Sequence, residues 1–193
     1  MKRISIKQFT FLTFHCLCAF AASSASAQPF EFDGKIVQRF EADNAYQAVA
    51  VGQDAFYAIS NVRLTRHDKN TGGALQQWDE SSQLSSPLIH LDSGVVLDKK
   101  LYSAHSNYPG WPMMSSVEVW DLTNMQHIET HSFGVMLGSF TWLDRHNGSW
   151  WGAFANYDIV QRGMTEPYGE TRNTVLVQFD DDFEVLQSWS LPA

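Results

Sequence analysis

One four-part pattern is written three times along the chain, anchored at Phe56-Tyr57-Ala58-Ile59-Ser60-Asn61, at Leu101-Tyr102-Ser103-Ala104-His105-Ser106-Asn107 and at Trp150-Trp151-Gly152-Ala153-Phe154-Ala155-Asn156. The closing asparagines stand 46 and then 49 positions apart, the length of a four-stranded propeller blade. The predicted fold is therefore all-β: a β-propeller of about three blades, over approximately 45–80, 90–133 and 138–191, with an additional outer strand at the N-terminus. Such a fold hosts many functions, so the chemistry has to be sought on its loops.

In the first repeat, strands are predicted over 48–51, 55–60, 63–67 and 74–78. The second places them over 94–97, 101–106, 116–120 and 127–131, and the third over 139–143, 150–156, 174–179 and 184–189. Turn residues such as Gly52-Gln53-Asp54 and Asp68-Lys69-Asn70-Thr71-Gly72-Gly73 separate them, the pattern of short strands joined by hairpins. Each third strand runs into an aspartate, Asp68, Asp121 or Asp180. A carboxylate there accepts hydrogen bonds from the following turn amides, and Gly72 supplies a positive φ, so these residues belong to hairpin construction. Trp78, His131 and Trp189 share one position on the outer strand, where blade-to-blade packing is the expected role.

Residues 32–40 resemble 179–189, the end of a third strand with its fourth. An outer strand at the start belongs to a blade before the first repeat, yet the last repeat already has its own fourth strand. Three blades are also fewer than the four to eight that close a ring. The sequence reads as part of a larger ring of the six-bladed type, or as a chain that closes six blades as a homodimer.

The first 27 residues carry Lys2, Arg3 and Lys7, an apolar stretch from about Phe9 to Ala22, and Ala25-Ser26-Ala27 before Gln28. That is the layout of a cleaved secretory signal peptide, which leaves 28–193 as the propeller domain and makes its compartment periplasmic or extracellular. The apolar stretch is shorter than the roughly 20 residues a spanning helix needs, and no membrane contact is expected after cleavage. Both cysteines, Cys16 and Cys18, sit in this leader, which excludes disulfides, thiol nucleophiles and zinc–thiolate sites from the mature chain. Net charge is −8 overall; without the three leader cations, 10 Lys+Arg face 21 Asp+Glu, or −11. Such a surface repels phosphate backbones, so nucleic acid is not an expected partner.

In a propeller the loops between second and third strands, and those entering each inner strand, gather at one end of the central channel. Asn61, Asn107 and Asn156 share one register there. Their amide oxygens form an arc that Asp158 can join to hold a hard cation such as Ca²⁺. The same asparagines equally suit turn-making, because Asn tolerates left-handed backbone and bonds its own chain. His90 and His105 suit acid–base catalysis near neutral pH if they face one substrate, and packing if they do not. Two insertions, 108–114 and 159–172, extend over this end. Tyr108, Trp111, Tyr157 and Tyr168 either line a site for a small organic ring or sugar or cap the channel. His127 and His131 lie on an outer strand, away from it. The chain contains no G-x-S-x-G, G-x-x-x-x-G-K-[ST] or H-E-x-x-H motif and no complete EF-hand loop, and Asp180-Asp181-Asp182 reads as a hairpin tip.

The repeats look like the six-bladed propeller superfamily that includes gluconolactonase-type and NHL-type proteins. Ala104-His105-Ser106-Asn107-Tyr108-Pro109, His131-Ser132-Phe133-Gly134 and Gly138-Ser139-Phe140-Thr141-Trp142 are also similar to exported bacterial proteins labelled cycloisomerase. The resemblance covers the whole mature chain at the level of fold. It implies a channel Ca²⁺ held by Glu, Asn and Asp, with Asn107 and Asn156 as the matching positions, while Tyr46-Gln47 stands where an acidic ligand is usual. The implied activity is that of a metal-assisted hydrolase or cycloisomerase on a lactone-like small molecule, the cation polarising a carbonyl while His90 or His105 moves a proton. The alternative is a non-catalytic propeller that binds a protein, glycan or small ligand on the same face.

Overall fold

Each strand pairs antiparallel with the next along the chain, so that three four-stranded sheets follow one another. The computed structural model describes residues 33–81, 86–135, 137–158, 160, 165–167 and 169–191. The expected leader and Tyr168 lie outside the described residues. The chain divides after Val37; residues 33–37 are exposed and carry no strand, and the sheets belong to the unit that begins at Gln38.

The first sheet consists of β1 (Ala48–Val51), β2 (Ala55–Ser60), β3 (Arg63–Asp68) and β4 (Ala74–Asp79). The second has β5 (Leu91–Leu97), β6 (Lys100–Ser106), β7 (Ser115–Asp121) and β8 (Gln126–Gly134). The third has β9 (Ser139–His146), β10 (Ser149–Ala155), β11 (Val175–Phe179) and β12 (Val185–Ser190). They are three blades of a partial propeller, with β1 against β5 and β5 against β9. Among the described residues no helix is long and apolar enough to cross a membrane.

Alternation along the strands decides which residues meet between blades. Tyr57 and Ile59 of β2 and Leu64 of β3 turn to the second sheet and form one buried cluster with Leu91, Leu101 and Trp120. Val117 and Val119 of β7 turn the other way, onto Phe140, Phe154, Val177 and Phe179. Gly94 lets the first two inner strands close up, since a Cβ there would lie 2.6 Å from Ile59 Cδ1. Outer strands contribute as expected: Trp78 meets Trp120 edge-on at 5.0 Å and His131 meets Phe183 at 4.8 Å, both across a blade boundary. Trp189 stacks instead on Trp151 of its own blade, at 5.6 Å.

The hairpin aspartates act as expected. Asp68 Oδ1 accepts from the amides of Asn70 at 2.9 Å and Thr71 at 2.8 Å, beside Gly72 at φ 75°. Asp121 Oδ1 accepts from the Thr123 amide at 2.8 Å, and Asp180 Oδ1 from the amides of Asp182 and Glu184 at 2.9 Å. Amide donation, from Thr71 and Thr123 above all, holds the carboxyls of Asp68 and Asp121 below their usual range. The stability this supplies is present above the unfolded pKa and lost as pH falls through the folded one.

Two expectations need correction. Residues 33–40 form no strand. A strand requires a free edge, and the third blade's edge is already occupied by β12. The chain beyond Gln38 instead covers the first blade's outward face: Phe40 stacks on Phe56 at 5.6 Å, Phe56 on His67 at 4.8 Å, and Asn44 Nδ2 donates to Thr65 Oγ1 at 2.8 Å. Secondly, β5 starts at Leu91 rather than Gly94, through an irregular register between those two residues. That brings Asp92 and Ser93 into an inner strand.

The clusters between blades carry the fold. Phe154→Ala, at a fully buried ring stacked on Phe140 at 4.3 Å, is expected to cost about 3–5 kcal/mol in urea denaturation. Trp189→Ala, at a ring 38% exposed, should cost no more than about 1.5 kcal/mol, the worth of one aromatic pair.

Candidate functional site

The register irregularity at the start of β5 puts a carboxyl where the inner strands are dry. Asp92 has a side chain 13% exposed, and its Oδ2 is sealed from solvent with no hydrogen-bond partner among the described residues. Its Oδ1 lies 3.6 Å from His90 Nε2. The His90 ring leans on Tyr108 at 5.1 Å, and Tyr108 meets Tyr157 edge-on at 5.8 Å. The Asp92 charge acts on the Tyr157 phenol, which burial in the first place holds above its ordinary pKa. His90, Asp92, Tyr108 and Tyr157 are thus gathered from β5, its entry loop and the β6–β7 and β10–β11 loops.

An ion pair at this distance would lower the carboxyl pKa and raise that of the imidazole. Burial outweighs the attraction. It pushes Asp92 up to about 7 and His90 below its ordinary value. Burial thus favours the uncharged imidazole and the protonated carboxyl, which places a base and an acid side by side.

His105 bonds into a different network, although the His90 charge also acts on it. It is 6% exposed, with Nδ1 2.8 Å from Ser116 Oγ and 3.6 Å from Glu118 Oε1. Glu118 accepts from Ser116 Oγ at 2.6 Å and Thr130 Oγ1 at 2.6 Å, and lies 2.7 Å from His127 Nε2. Burial would raise the Glu118 pKa, but these hydrogen bonds overcome it and hold the group low. Burial likewise lowers His105. The Glu118 carboxylate thus centres a polar network of the second blade, which His127 joins, while Nε2 of His105 is buried without a hydrogen-bond partner among the described residues.

The three asparagines brace their own loops. Asn61 Oδ1 accepts from Gln47 Nε2 at 2.5 Å, and its carbonyl accepts from the Leu91 amide at 2.9 Å. Asn107 Oδ1 accepts from the Met114 amide at 2.7 Å while Nδ2 donates to the Pro112 carbonyl at 2.9 Å, closing the loop that carries Tyr108 and Trp111. Asn156 Nδ2 donates to the carbonyls of Leu137 at 3.2 Å and Asn173 at 3.1 Å. Trp111 is 57% exposed on its loop, and Asp158 is exposed. Asp92 escapes a reading of the sequence because Leu-Asp-Ser-Gly (91–94) looks like a turn before a strand. Its one signal is a lone carboxylate between Leu91 and an inner strand.

No family model matches the chain, and no curated protein matches it. Among solved structures it is similar to the computationally designed Ika4 protein at 14% identity, over 83% of this chain and 100% of that one, with a TM-score of 0.44. It is also similar to quinohemoprotein alcohol dehydrogenase from Comamonas testosteroni, at 12% identity and TM-score 0.46 over 74% of this chain and 27% of that one. BamB from Moraxella catarrhalis gives 12% identity and TM-score 0.41 over 84% and 54%. The chain therefore spans about a quarter of the dehydrogenase and about half of BamB, and at these identities the likeness is one of chain path.

Between the unfolded carboxyl pKa near 3.9 and the native value of about 7, the folded chain holds a proton that the unfolded chain has released. Stability therefore falls as pH rises through this window and levels off above it. Asp92→Asn removes that loss. Its stability relative to the parent should rise by about 2–4 kcal/mol between pH 4 and pH 8 in urea titrations, and carboxyl NMR of the parent should give a midpoint near 7.

Proposed function

We propose that the chain is an exported enzyme that moves protons on a lactone-like small molecule at the channel mouth, opening or isomerising its ring. The observation that carries this reading is the Asp92 carboxyl, buried, with Oδ2 unbonded among the described residues, beside a His90 ring that leans on Tyr108. An aromatic wall of Tyr108 and Tyr157, with Trp111 on the same loop as Tyr108, suits a flat ring. Protonated Asp92 donates to the ring oxygen or carbonyl. Neutral His90 accepts the proton of a water or of the carbon next to the carbonyl. A positioned acid–base pair of this kind contributes about 10²–10⁴ in rate. Export rests on the leader composition of residues 1–27.

The calcium implied by the resemblance fits this arrangement poorly. A hard cation wants six to eight oxygens, whereas the side-chain oxygens of Asn61 and Asn107 already accept from Gln47 and Met114. No step here runs through a metal. His105 is held at Nδ1 by Ser116 and Glu118, and the reading offered here gives it no proton step. That same removal of one expected catalytic group favours a second reading, in which the pocket binds a small ligand or glycan without turning it over.

Wild-type chain, Asp92→Asn and His90→Gln assayed by NMR on a panel of γ- and δ-lactones decide between them. Turnover by the wild type that falls at least 100-fold in each variant is expected. Equal turnover in all three would end the acid–base reading, and ring binding with no turnover by any of them would favour the second.

A further inference from the structure

A cavity of about 630 Å³ opens between the first two blades at the end that carries the β1–β2 and β5–β6 turns. Its walls come from the β1–β2 turn, the β5–β6 turn and the start of the β7–β8 turn, together with side chains of β2 and β3. Buried Tyr57 and Leu122 and half-buried Val96 line it on the inside. Exposed Asp54, Asp98 and Lys99 stand at its solvent side.

Arg66 reaches it from the blade interface. Its Nε is sealed from solvent and has no hydrogen-bond partner among the described residues. Three other arginines have carboxylate partners: Arg63 pairs with Asp79, Arg145 with Asp181 and Arg172 with Glu170, although Nη1 of Arg145 is likewise buried and unbonded among the described residues. Lys69 is held on the carbonyls of Gly52 and Gln53 at the rim and keeps its charge there. With Nε sealed, the two Nη groups are what the Arg66 side chain presents to the cavity it lines; they have no hydrogen bond or ion pair among the described residues, and a guanidinium so placed offers them to an acceptor from outside the chain. The acceptor a planar guanidinium fits best is a carboxylate, which it can grip through two parallel hydrogen bonds.

We infer that this cavity is a binding site for a small monocarboxylate with an apolar body, its carboxylate on Arg66 with Lys99 beside it and its hydrocarbon over Tyr57, Val96 and Leu122. Asp54 and Asp98 set the charge limit. They leave room for one negative charge on Arg66 and repel a second, so phosphate and dicarboxylates are disfavoured. The site shares no side chain with the Asp92 pocket and does not depend on its chemistry.

Calorimetric titration of the full chain with 4-methylpentanoate tests it, against 4-methylpentan-1-ol, adipate and inorganic phosphate. The monocarboxylate should bind at least tenfold more tightly than each of the other three, and weaken as salt is raised. Arg66→Met, which keeps the length and apolar stem, should lose at least tenfold in carboxylate affinity while leaving the weak alcohol binding unchanged; Lys99→Gln should lose less. Equal binding of acid and alcohol by the wild type overturns the proposal without any variant, as does phosphate binding more tightly than the monocarboxylate. Unchanged affinity in a folded Arg66→Met also overturns it.

Discussion

Each sheet can bury its apolar side chains only against another sheet, and the middle blade is covered on both faces by its neighbours. Every polar group caught between blades must then find partners or change its protonation. Two carboxyls show the two outcomes. Glu118, 1% exposed, is surrounded by Ser116, Thr130 and His127 and keeps its charge. Asp92 has His90 at the margin of contact and nothing on Oδ2, so the same dryness pushes its pKa up to about 7. Hydrogen-bond supply, more than depth, separates a structural carboxyl from one poised for chemistry.

This contrast also explains why His105 and His90, alike in the sequence, differ in the fold. Both titrate below their ordinary value because of burial. His105 sits on β6 opposite Ser116 in the ladder and faces the first blade, where its ring completes the Glu118 network. His90 precedes β5 and leans on a loop tyrosine. One holds the blade together, and the other stays in reach of a ligand.

The blades were legible because strand alternation, hairpin aspartates and the shared tryptophan position are all set within about ten residues of chain. Asp68, Asp121 and Asp180 take the turn bonds that their place after each third strand implies. The opening segment was not legible, since whether 33–40 pairs as a strand depends on an edge elsewhere, and Phe40 stacks on Phe56 instead. Nor was Asp92. A shift of register flips every following side chain to the other face, and the irregularity between Leu91 and Gly94 has no marker beyond a glycine. The asparagines stayed ambiguous for a different reason: a loop brace and a cation ligand want the same amide at the same turn, and only the partners of Asn61 and Asn107 tell them apart.

The outward faces of the first and third blades are unlike, and this limits how a ring could grow. Cross-strand pairing puts Trp142 opposite Ala153, on the side where Trp151 and Trp189 stack at 5.6 Å, so the third blade presents an aromatic surface. The corresponding surface of the first blade, Phe56 with His67, is already under Phe40, and Asn44 is tied to Thr65 beside it. Closing six blades from two copies would set the third blade of each against the first blade of the other, a face that is occupied. Such closure has to displace Phe40 and break the Asn44 bond before the tryptophans can be covered. Phe40 and Asn44 therefore cover on the first blade the kind of face that the third blade leaves to Trp142, Trp151 and Trp189.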